Sequence, residues 1–344
     1  MPTLVTALLT APLDVPRDEP LGPPTVGAML GHIHVSWLAL GLVVVAACYL
    51  YGVALLRRRG DSWPVSRTLL FLVPGLGGIA IVTLTGLETY DTTLLSAHMG
   101  QHMVMSMISP IFLALGAPVT LALRTLPHRP RARLLAVLHS RVARVLTFPL
   151  VAYGFFVVTP FALYFTELYG LTMRSPLAHQ LVHVHFIAVG CLFFWPLVGV
   201  DPLPNRWPYP ARALLMFLST PFHTVLGLTI MQSETLVGGD WYPSLGLSWA
   251  DPFADQRVAG GILWAGGEVV SVTMLAVLVV QWMRSADRES RRVDRQLDRE
   301  EAQAAAAAQA AATQAAATQG AAAPAAPAGT IPAAPATRQG ASAT

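Results

Sequence analysis

HIHVSWLALGLVVVAACYLYGVALLRRRG, residues His32 to Gly60, reads as a membrane crossing with its stop signal attached. From His32 to Leu56 there is no Asp, Glu, Lys or Arg, and Arg57, Arg58 and Arg59 follow at once. A helix needs about 20 apolar residues to cross the hydrocarbon core of a bilayer. Six further stretches of that kind follow, near 67–87, 94–123, 146–166, 177–200, 211–232 and 260–283, so the chain is expected to be an all-α, polytopic bundle of seven transmembrane helices. Residues 1–31 then form a short N-terminal tail, 32–283 the membrane domain, and 284–344 a C-terminal tail.

The composition agrees. Hydrophobic residues make up 54% and charged residues 12%, with a mean hydropathy of +0.53, which excludes an ordinary soluble domain. The net charge of +3 and pI near 9.1 do not point to nucleic acid, because every basic residue is Arg and most lie in loops. There they report topology. Arg124, Arg129, Arg131, Arg133, Arg141 and Arg144 fill the third connection, and Arg284, Arg288, Arg291 and Arg292 follow the last span. The second connection carries Glu88 and Asp91, and the sixth carries Glu234, Asp240, Asp251 and Asp255. By the positive-inside rule the N-terminus is expected outside and the C-terminus in the cytoplasm.

The stretch Leu4 to Leu9 is apolar but short and lacks a basic flank, so it reads as part of an external tail rather than a signal peptide. Residues 284–303 are dense in charge and extend the last helix; the Ala-, Gln- and Pro-rich sequence after about 304 has no bulky apolar residues to bury and is expected to be disordered. Cys48 and Cys191 both sit in apolar spans, which argues against a disulfide framework.

Eight of the ten histidines fall at the same end of the predicted spans: His32, His34, His98, His102, His179, His183, His185 and His223. His128 and His139 lie in the Arg-rich loop instead. Titratable side chains are costly in hydrocarbon and face the bundle interior, where they bind something or relay protons. His98 and His102 are i,i+4, as are His179 and His183, so each pair shares one helix face and can converge on one ligand. Met105 extends the first face, seven residues beyond His98, while Met99 and Met103 lie on a neighbouring face. Imidazole together with thioether favours copper, the cuprous ion above all.

Plainer readings stand beside these. Methionines at helical spacing in a membrane helix ordinarily pack, and a lone His223 serves equally well as an interhelical hydrogen-bonding residue. His185, two residues from His183, points to another face. Gly75, Gly77 and Gly78 behind Pro74 suggest a close crossing or a break in the second span, and Pro110, Pro118, Pro160, Pro196 and Pro221 mark kinks. Glu268, inside the last span, is either a neutral hydrogen-bonded carboxyl or part of a proton relay.

The segment AHMGQHMVMSMISPIFLALGAPVTLALR, Ala97 to Arg124, resembles the signature of the multi-span CtaG-type cytochrome c oxidase assembly factors, with its paired histidines, the Pro110 break and the LGAP turn at Leu115 to Pro118. HQLVHVHFIAVGCLFFWPLVGVDP (His179 to Pro202) and DQRVAGGILWAGGEV (Asp255 to Val269) are similar to that family's fifth-helix and last-span blocks. The resemblance covers about residues 30–284. It implies a non-enzymatic, chaperone-like role in maturing a caa-type haem-copper oxidase in the bacterial plasma membrane, with oxidase subunits and membrane lipid as partners and no nucleic acid. It also implies copper handling, with His98, His102, His179 and His183 at the recurrent histidine positions and His32, His34 and His223 beside them.

The expected metal set is therefore His98, His102, His179, His183, His32, His34, His223 and Met105, binding copper at the outer membrane face. Two other classes remain open on the residues: a redox protein whose histidines ligate b-type haem, and a copper or proton-coupled transporter, for which Glu268 is the chief support.

Overall fold

The computed structural model describes residues 22–31, 36–204 and 207–321. Among them every regular element is helical. The chain divides into two compact units, Met1–Trp282 and Met283–Thr344.

After a short helix α1 (Val26–Gly31), the first span, α2 (Trp37–Arg58), starts where the Ser36 hydroxyl accepts the Ala39 N–H at 3.3 Å. It stops at its arginines and at Gly60, whose φ of 80° suits only glycine without strain. At 1.5 Å per residue, its 22 residues cover about 33 Å, enough for the bilayer core. The second span, α3 (Val65–Leu84), carries Pro74 in a π-helical segment, Phe71–Gly77. Of the two alternatives read from its glycines, the close crossing is the one present: α3 runs on through the π-helical segment as one helix, and a methyl at Gly75 would meet Leu113 of α5 at 2.9 Å, and one at Gly78 the Ser109 hydroxyl at 2.7 Å. That hydroxyl donates to the Pro74 carbonyl at 3.2 Å.

A one-turn helix α4 (Leu87–Asp91) leads into the third span, α5 (Leu95–Thr125). Pro110 removes the N–H that would bond the Ser106 carbonyl, and α5 answers with a π-helical turn, Val104–Ile108. A methyl at Gly190 of the neighbouring span would lie 2.2 Å from that carbonyl, so glycine admits the close approach. At the LGAP turn, Ala117 is left-handed with φ 51°. Asp201 caps the final piece, Pro118–Thr125, accepting from the Thr120 N–H at 2.7 Å and the Trp195 indole at 2.9 Å. A carboxylate at a helix N-terminus satisfies its unpaired N–H groups and opposes its dipole.

Two short helices, α6 (His128–Leu138) and α7 (Arg141–Leu146), fill the Arg-rich connection. The fourth span is a bent pair, α8 (Pro149–Tyr164) and α9 (Leu168–Arg174), turned by 70° at the break. The fifth, α10 (Pro176–Val198), begins at the Ser175 cap and ends at Gly199 with φ 63°. The sixth, α11 (Tyr209–Gln232), is followed by a loop holding the short α12 (Trp241–Ser244). The last, α13 (Pro252–Ala321), crosses α11 at Gly227 and Gly260, where a methyl on either would press on the other's carbonyl at 2.7 and 2.5 Å. Among the described residues six single helices are long and apolar enough to cross a membrane, and seven if the bent pair counts as one span.

One large apolar core joins α5, the bent pair, α10, α11 and α13 through Phe156, Phe193, Phe194, Met216 and Leu263. Outward faces stay apolar too, as at Val43, Val44, Phe217, Val269 and Val272, the pattern of a surface that meets lipid. The chain is a multi-pass membrane protein.

The expected disorder after about residue 304 falls largely outside the described residues, which end at 321; up to there, α13 runs on as helix through Ala321. Alanine has the highest helix propensity of any residue, and an alanine-rich run extends a helix that is already nucleated. The expected N-terminal tail is described only from residue 22; the Tyr90 hydroxyl donates to the Gly22 carbonyl at 3.1 Å and so ties that segment to α4.

Candidate metal centre

His98 and His102, in the opening turns of α5, meet His179 and His183 from the opening turns of α10. Ring centroids are 4.0 Å apart within the first pair and 4.4 Å within the second. Across the pairs they are 5.7 Å (His98 to His179) and 5.8 Å (His102 to His183). All four are buried.

Asp91, the last residue of α4, is fully buried against three of them. It accepts from His98 Nδ1 and, at 2.6 Å, from His179 Nε2, while His183 Nε2 lies 3.5 Å away. Burial pushes the Asp91 carboxyl up, but His179 and His98 outweigh it and hold the group well below the usual carboxylate range. Glu88 sits one turn earlier on the same helix, and its Oε2 accepts from Gln101 Nε2 at 2.9 Å. Burial first, and then the charge on Asp91, push the Glu88 carboxyl up to about 8.

An ionised carboxylate only accepts, so His98 Nδ1 and His179 Nε2 carry the protons that bond Asp91. Their other nitrogens are left with lone pairs. His98 Nε2, His179 Nδ1, His102 Nε2 and both nitrogens of His183 are buried with no hydrogen-bond partner among the described residues. Leaving a buried polar group unpaired costs about 1–3 kcal/mol, so five such nitrogens in one place fit a cation that would take them up. Two sets of ligand atoms converge to within 4.8 Å of one another: Asp91, His98 and His179, and Glu88, His179 and His183. Imidazole and carboxylate donors together suit copper(II) or zinc.

Polar contacts close the site at its end of the bundle. The Trp241 indole donates to the Thr92 carbonyl at 2.9 Å, the hydroxyls of Tyr169 and Tyr242 are hydrogen-bonded, and Asp255 accepts from Ser96 N at 3.2 Å. Gln256 pins the preceding loop through the Val237 N–H at 2.8 Å and the Thr235 carbonyl at 3.0 Å.

The other expected residues are placed differently. His32 and His34 lie outside the described residues. His223 is buried on α11 against Phe156, with ring centroids 5.3 Å apart, and its Nδ1 bonds the Ser219 carbonyl rather than Asp91. Met105 is fully buried in the π-helical turn. The thioether tied to the histidines is that of Met99, which accepts from the Tyr164 hydroxyl at 3.5 Å; the same oxygen lies 3.1 Å from His102 Nδ1. His185 is exposed and bonds Thr159 at 3.2 Å, and His128 and His139 are exposed. Glu268 accepts from Thr224 at 2.5 Å.

Sequence reasoning took Glu88 and Asp91 for loop charges. The signal that would have singled them out is their i,i+3 spacing in a short connection directly ahead of His98, which puts both on one face of a helical turn.

The family model for the cytochrome c oxidase caa3 assembly factor matches residues 47–285. An uncharacterized protein of Mycobacterium bovis and one of Mycobacterium tuberculosis are each 39% identical over 285 residues, 80% of this chain and 43% of the relative. One of Mycobacterium leprae is 35% identical over 271 residues, 76% of this chain and 41% of the relative. The chain thus spans less than half the length of these relatives. No solved structure matches it. By the match over most of its membrane domain, the chain belongs to the cytochrome c oxidase caa3 assembly factor family.

Proposed function

We propose that this protein assists assembly of a caa-type haem-copper oxidase in the bacterial plasma membrane, and that the Asp91 cluster binds copper in transit to that enzyme. The observation that carries the reading is the buried carboxylate of Asp91 set among imidazoles from two spans. His98, His179 and His183 would hold the ion, with Asp91 supplying negative charge and Glu88 adding its own only on giving up its proton to the bound cation. A transferred ion needs exchangeable ligands rather than a catalytic cycle, so the role is non-enzymatic.

The donor set bears on the oxidation state. Two carboxylates stand at the cluster where a thioether was expected, and nitrogen with oxygen favours the cupric ion over the cuprous. The packing also weighs against b-type haem: the four imidazoles touch, and Asp91 bonds both His98 and His179, so a porphyrin would have to displace it. For the transporter reading, Glu268 is occupied by Thr224.

The test is metal analysis and electron paramagnetic resonance on the membrane-extracted protein titrated with copper(II). A nitrogen-coupled cupric signal that Asp91→Asn and His179→Ala abolish is expected. A wild type that retains no copper, or that carries haem, overturns the reading.

A further inference from the structure

Beside the Asp91 cluster, against His102, lies a small cavity of about 20 Å³. That is room for a single water molecule or a single ion. Its lining includes His102, His223, Met99 and Met103, with Ser106 and Tyr164, among apolar side chains such as Phe156 and Leu263. No Asp or Glu is among the lining residues. The donors thus differ in kind from those of the neighbouring cluster, and the two sites share only His102 as a boundary.

Hydrogen bonds set the protonation of this wall. The Ser219 carbonyl only accepts, so His223 Nδ1 carries the proton at 3.1 Å and Nε2 keeps its lone pair. The Tyr164 hydroxyl donates to Met99 Sδ at 3.5 Å, and its oxygen then accepts from His102 Nδ1 at 3.1 Å. His102 Nε2 is left with a lone pair and is buried without a partner. A ring nitrogen fixed by a hydrogen bond on one side and free on the other is the usual arrangement of a metal-binding imidazole. Both His223 and Met103 lie against a glycine pair of α13. A methyl at Gly267 would come within 3.0 Å of His223 Cβ, and one at Gly266 within 3.4 Å of Met103 Cε.

We propose that this chamber is a second metal site, selective for a soft monovalent cation of the cuprous type, held between the thioethers of Met99 and Met103 and the imidazoles of His102 and His223. Thioether and imidazole without carboxylate favour a soft, low-charge ion. The proposal rests on the copper reading of the Asp91 cluster only for the identity of the natural ion; affinity for a soft cation follows from the chamber's own donors. The pair of sites then offers an ion two neighbouring environments, one of nitrogen and oxygen, one of nitrogen and sulfur.

Silver(I) is the probe, since it mimics copper(I) and does not change oxidation state. The full chain in detergent is titrated with silver(I) and, separately, with copper(II), and the silver-loaded wild type is measured by X-ray absorption. The expected result is sulfur in the silver coordination shell. Met99→Leu/Met103→Leu should weaken silver(I) on the order of 10- to 100-fold, at least the loss seen when a supporting group of a metal site is removed, while copper(II) binding persists. Asp91→Asn should do the reverse. If copper(II) fails to bind but silver(I) binds through sulfur, the copper reading of the cluster falls and the chamber stands. Silver without sulfur neighbours in the wild type, or undiminished silver affinity in a folded double variant, overturns the proposal.

Discussion

Asp91 and His179 stand 88 positions apart in the chain, yet the imidazole Nε2 donates to the carboxylate at 2.6 Å inside the bundle. Asp91 reaches that place because α4 turns in the short connection between α3 and α5, with the segment from residue 22 lying over it. A methyl at Gly86 would lie 2.0 Å from the Ala28 carbonyl, so the helix can tuck under that segment only with glycine there.

Removing the Asp91 side chain leaves the N–H groups of His98 and His179 facing an empty space. A buried donor left unpaired costs about 1–3 kcal/mol, so Asp91→Ala is expected to lower the thermal midpoint in detergent as well as metal content. Asp91→Asn keeps the shape and should lose metal with a smaller thermal shift. Differential scanning fluorimetry beside metal analysis separates the two, and equal thermal losses would mean that the charge is immaterial to folding.

Glu88 gives a pH dependence of definite sign. Its carboxyl is raised from an ordinary 4.5 to about 8 by burial and by Asp91, so the folded chain holds a proton that the unfolded chain releases. The stabilisation is full below about 4.5 and is lost as pH rises through about 8. Asp91, held low, acts in the opposite direction and loses its contribution only in strong acid. Melting curves from pH 5 to 9 should show a decline that runs from about 5 to about 8, levels off above it, and is removed by Glu88→Gln; an unchanged slope in that variant would refute the assignment.

The spans themselves were legible from apolar length alone, and so were both histidine pairs, because i,i+4 spacing is a property of one helix. What spans could not give was contact between helices. Met105 shares an ideal helix face with His98, but the thioether tied to the cluster is Met99, through Tyr164 of another span. Hydropathy scored Asp91 as a loop charge because its burial depends on α4 tucking in, which periodicity does not register. His223 had the right depth and faces a different chamber, since α11 meets α13 at glycines and not α10 at His183.

Gly190 is expected to tolerate no side chain. A methyl there meets the Ser106 carbonyl at 2.2 Å and Pro110 at 2.7 Å, and backbone cannot rotate away. Gly190→Ala should cost about 1–3 kcal/mol, the usual range for overpacking, and lower protein abundance in membranes. Gly154→Ala, where nothing lies within 4 Å, is the control.

The arginines predict the orientation. A reporter fused after Arg133 should be cytoplasmic and one near Ser244 external, a result that would put the Asp91 cluster at the outer face. The reverse pattern would move the cluster to the cytoplasmic side. Truncation after Arg299 removes only exposed positions among residues 300–316 and should leave insertion intact, as judged by membrane fractionation.

The most direct measurement is the copper content of purified protein for the wild type and the single variants His98→Ala, His179→Ala and His183→Ala, with His128→Ala and His139→Ala as controls. The wild type and both controls should retain copper, and each of the three cluster variants should lose the copper(II) held at the Asp91 cluster at unchanged abundance. Full occupancy in all three would contradict a copper site built on Asp91 and its histidines.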